Sequence, residues 1–320
     1  MTVAGRVMKE FELIAKIQKE FSQNNRHKDL VVPIGDDCSV IRPPKGLLMA
    51  TTIDSLVEGN HFSLKYFMPR EIGRKALRVN LSDLASMGAK GPYFAWLVFA
   101  ISPDVSDAAI TGILKGVRED CKKFDVVLAG GNITSSKEFQ IHVALSGWVK
   151  PGGTLKRSGA KPGDSIFISG PVGASTIAYR QFKEGLEPTP ELLQRWANPV
   201  PKIKLGVFLA EKKIASSCID VSDGVFQDLQ HITKTSKVGA ELTWHKIPLH
   251  PGIENPTPQT IGFGEDYELL FTVPQKKLKL LAPFKRQITE IGKITRKGFS
   301  LLDSKGKKMD VAGVGYSHPT

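Results

Sequence analysis

The chain has 320 residues, 41% apolar and 24% charged, proportions that fit a globular protein with room for two ordinary domains. Its 44 Lys and Arg against 32 Asp and Glu give a net charge of +12. The basic residues are dispersed, with modest groups at Lys276-Lys277-Lys279 and Lys305-Lys307-Lys308 and no interleaved aromatics, which argues against a nucleic-acid face and for a solvated basic surface that steers anions inward.

Residues 8–21 carry Met8, Phe11, Ile14, Ile17 and Phe21 at three- and four-residue spacing, which predicts an amphipathic helix. Leu30–Ile34 and Leu47–Ile53 read as short strands. A long helix is expected from Pro69, a good first-turn residue, to Met87 before Gly88. Strands over 94–101, 126–129 and 139–149 surround a helix over 108–124. The Gly/Pro/Lys-rich stretch that begins at Lys150-Pro151-Gly152-Gly153 is the best boundary, dividing the chain into 1–150 and 151–320. Beyond it come a strand over 165–169, helices over 173–182 and 203–212, a strand over 218–221, a helix over 223–236 capped by Ser222 or Asp223, a Pro-rich loop over 248–258 and a strand over 268–273. Each half mixes helices and strands, so two mixed α/β domains are expected.

No run approaches the roughly 20 apolar residues of a membrane span. The first residues lack a signal-peptide apolar segment. Cys38, Cys121 and Cys218 are scattered and without CxxC spacing. A cytoplasmic protein with free thiols is the expectation.

Acidic residues recur at the ends of apolar runs: Gly35-Asp36-Asp37, Thr52-Ile53-Asp54, Asn80-Leu81-Ser82-Asp83, Asp220-Val221-Ser222-Asp223 and Gly264-Glu265-Asp266. At a sixth such place, Gly130-Gly131-Asn132, an amide stands instead. Carboxylates beside glycine and apolar residues are costly to bury unless something positive meets them, and hard cations such as Mg2+ take oxygen ligands and bridge to phosphates. A metal–phosphate site is the first hypothesis. Thr52 and Asp54 share a strand phase and can face one site. Asp83 falls on a mostly apolar helix face with Ala76, Asn80 and Met87. The paired glycines 130 and 131 allow close backbone approach to a phosphate or base. His61 alone decides nothing, and Arg157 and Lys161 suit phosphate contact as well as they suit a solvated linker. No GxxxxGK[ST], HExxH or GxSxG motif occurs.

In order along the chain, Gly35-Asp36-Asp37-Cys38, residues 52–62 (Thr-Ile-Asp-Ser-Leu-Val-Glu-Gly-Asn-His-Phe), residues 80–89 (Asn-Leu-Ser-Asp-Leu-Ala-Ser-Met-Gly-Ala), residues 157–164, Ile219-Asp220-Val221-Ser222-Asp223-Gly224 and residues 264–269 resemble the thiamine-monophosphate kinase family. That family belongs to the superfamily that includes aminoimidazole ribonucleotide synthetase. The resemblance spans nearly the whole chain, and blocks 52–62 and 80–89 are the specific ones. It implies Mg2+-assisted transfer of the γ-phosphate of ATP to thiamine monophosphate. It also implies a homodimer through the N-terminal sheet, with ATP in the cleft of each chain. Carried over position by position, it implies several Mg2+ ions on Asp37, Thr52, Asp54, Asp83, Asn132, Asp220 and Asp223. ATP contacts fall to Gly131, Asn132, Arg157 and Ser222, and substrate contacts to His61, Glu265 and Tyr316. No general base is needed, because the acceptor is already an anion. Two departures stand out: the family usually has Gly-Gly-Asp where this chain has Gly130-Gly131-Asn132, and often Thr where it has Ile53. The rivals are another ATP-using member of the superfamily, such as an aminoimidazole ribonucleotide synthetase-like enzyme, and a basic nucleic-acid-binding protein.

Overall fold

The computed structural model describes residues 10–22 and 27–311, which form two compact units. The first comprises residues up to Leu84 and Lys90–Pro151; the second comprises Ala85–Ala89 and the chain from Gly152.

In the first unit, helix α1 (Glu10–Glu20) precedes a small antiparallel pair, β1 (Leu30–Val32) and β2 (Val40–Ile41). Met8 of the expected helix lies outside the described residues. Strand β3 (Leu48–Val57), helix α2 (Pro69–Ser86), strand β4 (Lys90–Ile101), helix α3 (Asp107–Phe124), and strands β5 (Val126–Ser135) and β6 (Gln140–Val149) follow. The four long strands form one sheet in the order β3-β6-β4-β5, with β4 and β5 parallel and the other pairs antiparallel. Ser106 caps α3, its side chain accepting from the amide of Ala109, and Asp125 ends that helix in a left-handed conformation.

Helices α2 and α3 approach closely because glycines stand at their crossing. A Cβ on Gly73 would lie 2.0 Å from the carbonyl oxygen of Ile113, and one on Gly116 1.9 Å from that of Arg70. The arginines of α2 reach across the same seam: Arg74 pairs with Glu119 at 2.6 Å, and Arg78 Nη2 meets Asp120 Oδ1 at 3.1 Å.

Two strands run further than the apolar runs suggest. Asp54 does not end β3, which continues to Val57 in unbroken register with β6, Asp54 lying opposite Val143. Gly130-Gly131-Asn132 does not close β5 either, which continues to Ser135 beside β4. Pairing with long neighbours carries polar residues along as strand, and sequence pattern alone underestimates this.

The second unit contains β7 (Ser165–Ile168), α4 (Ala174–Lys183), α5 (Pro190–Ala197), α6 (Ile203–Glu211), β8 (Ser217–Asp220), α7 (Val225–Ser236), β9 (Gly239–Thr243), β10 (Leu269–Val273), β11 (Thr289–Thr295), β12 (Phe299–Leu302) and β13 (Lys308–Met309). Its seven strands form a mixed sheet in the order β13-β12-β9-β11-β7-β10-β8, in which only β12 and β9 pair in parallel. Alternate residues feed two cores. Ile166, Ile168, Ile219 and Leu270 join Val225, Phe226, Leu229 and Ile232 of α7 on one face, while Phe167, Cys218, Leu269 and Phe271 join Leu205 and Leu209 of α6 on the other. A sheet covered on both faces explains why all five residues of β10 are buried. Each large apolar side chain so buried is worth roughly 1.5–3 kcal/mol.

The sequence reading misses α5 and strands β9 and β11 to β13. It also starts α7 too early: Ser222 and Asp223 do not cap it, since the helix begins at Val225 after Gly224 (φ 110°) with no side-chain cap.

Candidate functional site

In the first unit the alternation of β3 brings Thr52 and Asp54 to one side, with exposed Thr51, Ile53 and Ser55 on the other. Helix α2 lies against the Thr52 side, and the Thr52 hydroxyl donates to a carboxylate oxygen of Asp83. Two residues 31 positions apart are thus joined, one from a strand and one from a helix. In the loop after β3, His61 accepts the amide of Val57 on Nδ1 at 3.1 Å, which puts the proton of a neutral ring on Nε2. The buried Lys75 holds that loop by donating to the His61 carbonyl at 2.8 Å.

At the opposite edge of the same sheet, β5 carries the paired glycines. A Cβ on Gly131 would lie 2.0 Å from the Leu97 carbonyl oxygen, and one on Gly130 2.8 Å from the Trp96 ring. Close approach of β4, at a bulge where Trp96 pairs with Gly130, therefore requires these glycines before any ligand is considered. They line a cavity of about 650 Å³ with Ile14, Gln18, Asp36, Asp37 and Asn132. The structure thus gathers Asp37, Gly131 and Asn132 in one place and Thr52 and Asp83 in another, with β6 and β4 between the edge strands.

In the second unit, two loops are laced by backbone bonds. Glu265 N–H donates to Ser222 O at 3.0 Å, Tyr267 N–H to Val221 O at 2.9 Å and Val221 N–H to Glu268 O at 2.8 Å. This brings Ser222 beside Glu265, while Asp220, at the end of β8, lies opposite Leu269. The buried Glu265 carboxylate accepts from Trp196 Nε1 at 2.5 Å and from the Tyr267 hydroxyl at 3.2 Å. Arg157 is exposed on the segment leading into β7, its carbonyl accepting from Ser236 at 3.4 Å. Tyr316 lies outside the described residues.

Three further carboxylates, Glu268, Asp266 and Asp228, have no role in the sequence reading, although Asp266 is noted there as part of an acidic turn. Glu268 is 1% exposed and meets Lys202 Nζ at 3.0 Å, Arg195 at 3.2 Å and the Ser169 hydroxyl at 2.5 Å. Burial pushes Asp266 up to about 7; the nearby charge of Glu268 adds to this, while the Gly173 amide and Arg195 oppose it. Burial, and then the charges of Asp220 and Asp223, hold Asp228 well above the ordinary carboxylate range. The available signal for Asp228 was its spacing, three residues before His231 on a helix that follows an acidic loop.

Residues 35–149 match the family model for the N-terminal domain of AIR synthase related proteins, and residues 161–303 match that for the C-terminal domain. A thiamine-monophosphate kinase from Buchnera aphidicola subsp. Schizaphis graminum is 35% identical over 327 residues, spanning 97% of this chain and 98% of the relative. The chain belongs to the thiamine-monophosphate kinase family. Solved structures of similar proteins agree with the two mixed α/β units. The thiamine-monophosphate kinase of Stenotrophomonas maltophilia K279a is 29% identical with a TM-score of 0.79, over 90% of this chain and 95% of that one. A structure described as AaThiL complexed with AMPPCP and TMP is 28% identical with a TM-score of 0.74, over 97% and 99%. Among the described residues, no helix is long and apolar enough to cross a membrane.

Proposed function

We propose that this chain transfers the γ-phosphate of ATP directly to thiamine monophosphate, giving thiamine diphosphate. The observation that carries this reading is the near-full-length relationship to thiamine-monophosphate kinases, together with a solved relative that holds AMPPCP and TMP. Both reacting partners are phosphate anions, so the barrier is alignment and mutual repulsion rather than proton removal, and no general base is required.

The donor set fits Mg2+: Asp37, Asp54, Asp83, Asp220 and Asp223 offer carboxylate oxygens, Thr52 a hydroxyl and Asn132 an amide oxygen, the hard ligands this ion prefers. Bound there, several Mg2+ ions would neutralise the charge shared between donor and acceptor phosphates. In the first unit, Thr52 orients the Asp83 carboxylate through its hydroxyl, while Asp37 and Asn132 face the cavity where Gly131 admits close backbone approach. In the second unit, Ser222 and Arg157 are assigned to the nucleotide and Asp220 and Asp223 to metal. His61 offers an Nε2–H to the acceptor phosphate. Glu265 meets the cationic thiazolium with its carboxylate fixed by Trp196 and Tyr267, and Tyr316 is assigned to the thiamine substrate. The assembly is a homodimer through the first unit's sheet, an arrangement that the exposed Leu48, Met49 and Ile53 on edge strand β3 support. The protein is cytoplasmic in this reading, consistent with its three free cysteines.

The test is purified protein incubated with ATP, Mg2+ and thiamine monophosphate, with thiamine diphosphate followed by chromatography. Product dependent on all three supports the proposal. Absence of product, with ATP consumed on a different phosphate acceptor, overturns the substrate and leaves an ATP-using relative.

A further inference from the structure

Helix α4 has no part in the reaction above, yet it grips the loop that carries Glu265. Ser175, Tyr179 and Phe182 recur at four- and three-residue spacing and so share one face of that helix. From this face the Ser175 hydroxyl donates to the Glu265 carbonyl at 2.8 Å. The Tyr179 ring stacks flat on Phe263, with centroids 3.8 Å apart and planes 11° from parallel. The loop is thus held at residues 263 and 265, on either side of Gly264, and both Gly264 and Glu265 have positive φ, at 90° and 55°.

The same tyrosine reaches the Glu265 side chain through Trp196. Tyr179 meets the Trp196 ring edge to face at 5.8 Å, and Phe182 packs on it at 5.6 Å. Trp196 is fully buried, so these neighbours fix the direction of its Nε1–H, which donates to Glu265 Oε2 at 2.5 Å. The Tyr267 hydroxyl donates to Oε1 at 3.2 Å. Both donors are neutral, so they favour the charged carboxylate without cancelling its charge. An indole buried for its apolar body needs some acceptor, and a backbone carbonyl would serve. Here the acceptor is the carboxylate assigned to the substrate.

We propose that Tyr179 is a positioning residue that, through Phe263 and Trp196, fixes the Glu265 carboxylate and so sets the preference of the site for a cationic ring over a neutral one. A carboxylate held in one place loses its whole attraction when the ligand is neutral, and this makes charge the basis of selection. The inference rests on the kinase reading only in assigning Glu265 to the thiazolium.

Isothermal titration calorimetry of the full-length protein with Mg2+ and AMPPCP compares two ligands. One is thiamine monophosphate, and the other is an isostere in which a neutral thiophene replaces the thiazolium. The wild type should bind the cation at least about tenfold more tightly than the isostere. Tyr179→Leu removes the stack at a partly exposed position and should cut that preference at least about threefold, by weakening the cation alone. Tyr179→Met serves if the Leu variant does not fold. Tyr179→Phe keeps the ring and should keep the preference. Trp196→Phe keeps an aromatic ring, loses the N–H and should cut the preference about tenfold. Lost packing alone would weaken both ligands in parallel. That result, a wild type with equal affinities, a preference unmoved in Tyr179→Leu or one lost in Tyr179→Phe would each overturn the role. Thiamine diphosphate formation by the wild type is scored separately. Product with an unmoved preference removes the role of Tyr179 and keeps the kinase, and the expected shift without product does the reverse.

Discussion

The amide of Glu265 donates to the carbonyl of Ser222 at 3.0 Å, tying a residue assigned to the thiamine substrate to one assigned to the nucleotide. The bond is possible because Gly264 turns the chain at φ +90°, and a Cβ there would lie 2.2 Å from the Ser222 carbonyl oxygen. Glu265 and Tyr267 themselves adopt positive φ, at 55° and 53°. Non-glycine residues rarely hold this conformation, and here the surrounding bonds to Ser222 and Val221 maintain it.

Gly264→Ala should therefore break the lacing. The expected cost is about 2 kcal/mol or more in urea unfolding, with a raised KM for thiamine monophosphate. Gly163→Ala is the matched control, since Gly163 has φ +92° but nothing within 4 Å of its would-be Cβ. It should show the backbone strain alone and an unchanged KM. Equal effects of the two variants on KM would count against a role for the Ser222 contact.

How far the sequence reveals this site depends on whether a residue's reason is local. The helix from Pro69 and the strand phase shared by Thr52 and Asp54 are legible from spacing, because three- and two-residue periods report burial directly. The Thr52–Asp83 bond is not, since it joins positions 31 apart, although each residue is separately conspicuous. Gly130 and Gly131 are recognisable as glycines that something must approach. That the Trp96 ring and the Leu97 carbonyl are what approach them depends on a bulge in β4–β5 pairing that no pattern announces. Helix α5 is short, and its Trp196 matters because it reaches Glu265, 69 residues away.

Thr52→Val keeps the shape and the strand preference of β3 while removing the hydroxyl that donates to Asp83. The Mg2+ concentration for half-maximal activity should rise severalfold, because one oxygen ligand is lost and the Asp83 carboxylate loses a hydroxyl that helps to orient it. Stability should change by only about 1 kcal/mol. Thr52→Ser should restore the Mg2+ response. A Val variant with the wild-type Mg2+ curve would remove Thr52 from the metal set.

Asn132 stands exposed on β5 at the cavity that Asp36 and Asp37 also line. An amide can offer one oxygen to a cation but no charge. Asn132→Asp should move the Mg2+ activation curve to lower concentration, with little change in thermal stability, since the added carboxylate is solvated. Superimposable activation curves would show that this position does not contact metal.

Asp266 gives a prediction in pH. Its carboxyl is buried, accepts the Gly173 amide at 2.9 Å, and is pushed from 3.8 up to about 7. Between those values the folded chain holds a proton that the unfolded chain has released, so the folded state binds more protons and stability falls as pH rises. The contribution is fully present below about pH 4, is lost progressively up to about pH 7, and is then constant; its size is on the order of 4 kcal/mol. Asp266→Asn keeps an oxygen that accepts from Gly173 and cannot ionise. In urea unfolding at pH 5 and pH 8, the variant should gain on the wild type at the higher pH, reversing or narrowing any deficit seen at the lower one. A wild type and variant that lose stability in parallel across this range would show that Asp266 ionises in the folded protein as it does in the unfolded chain.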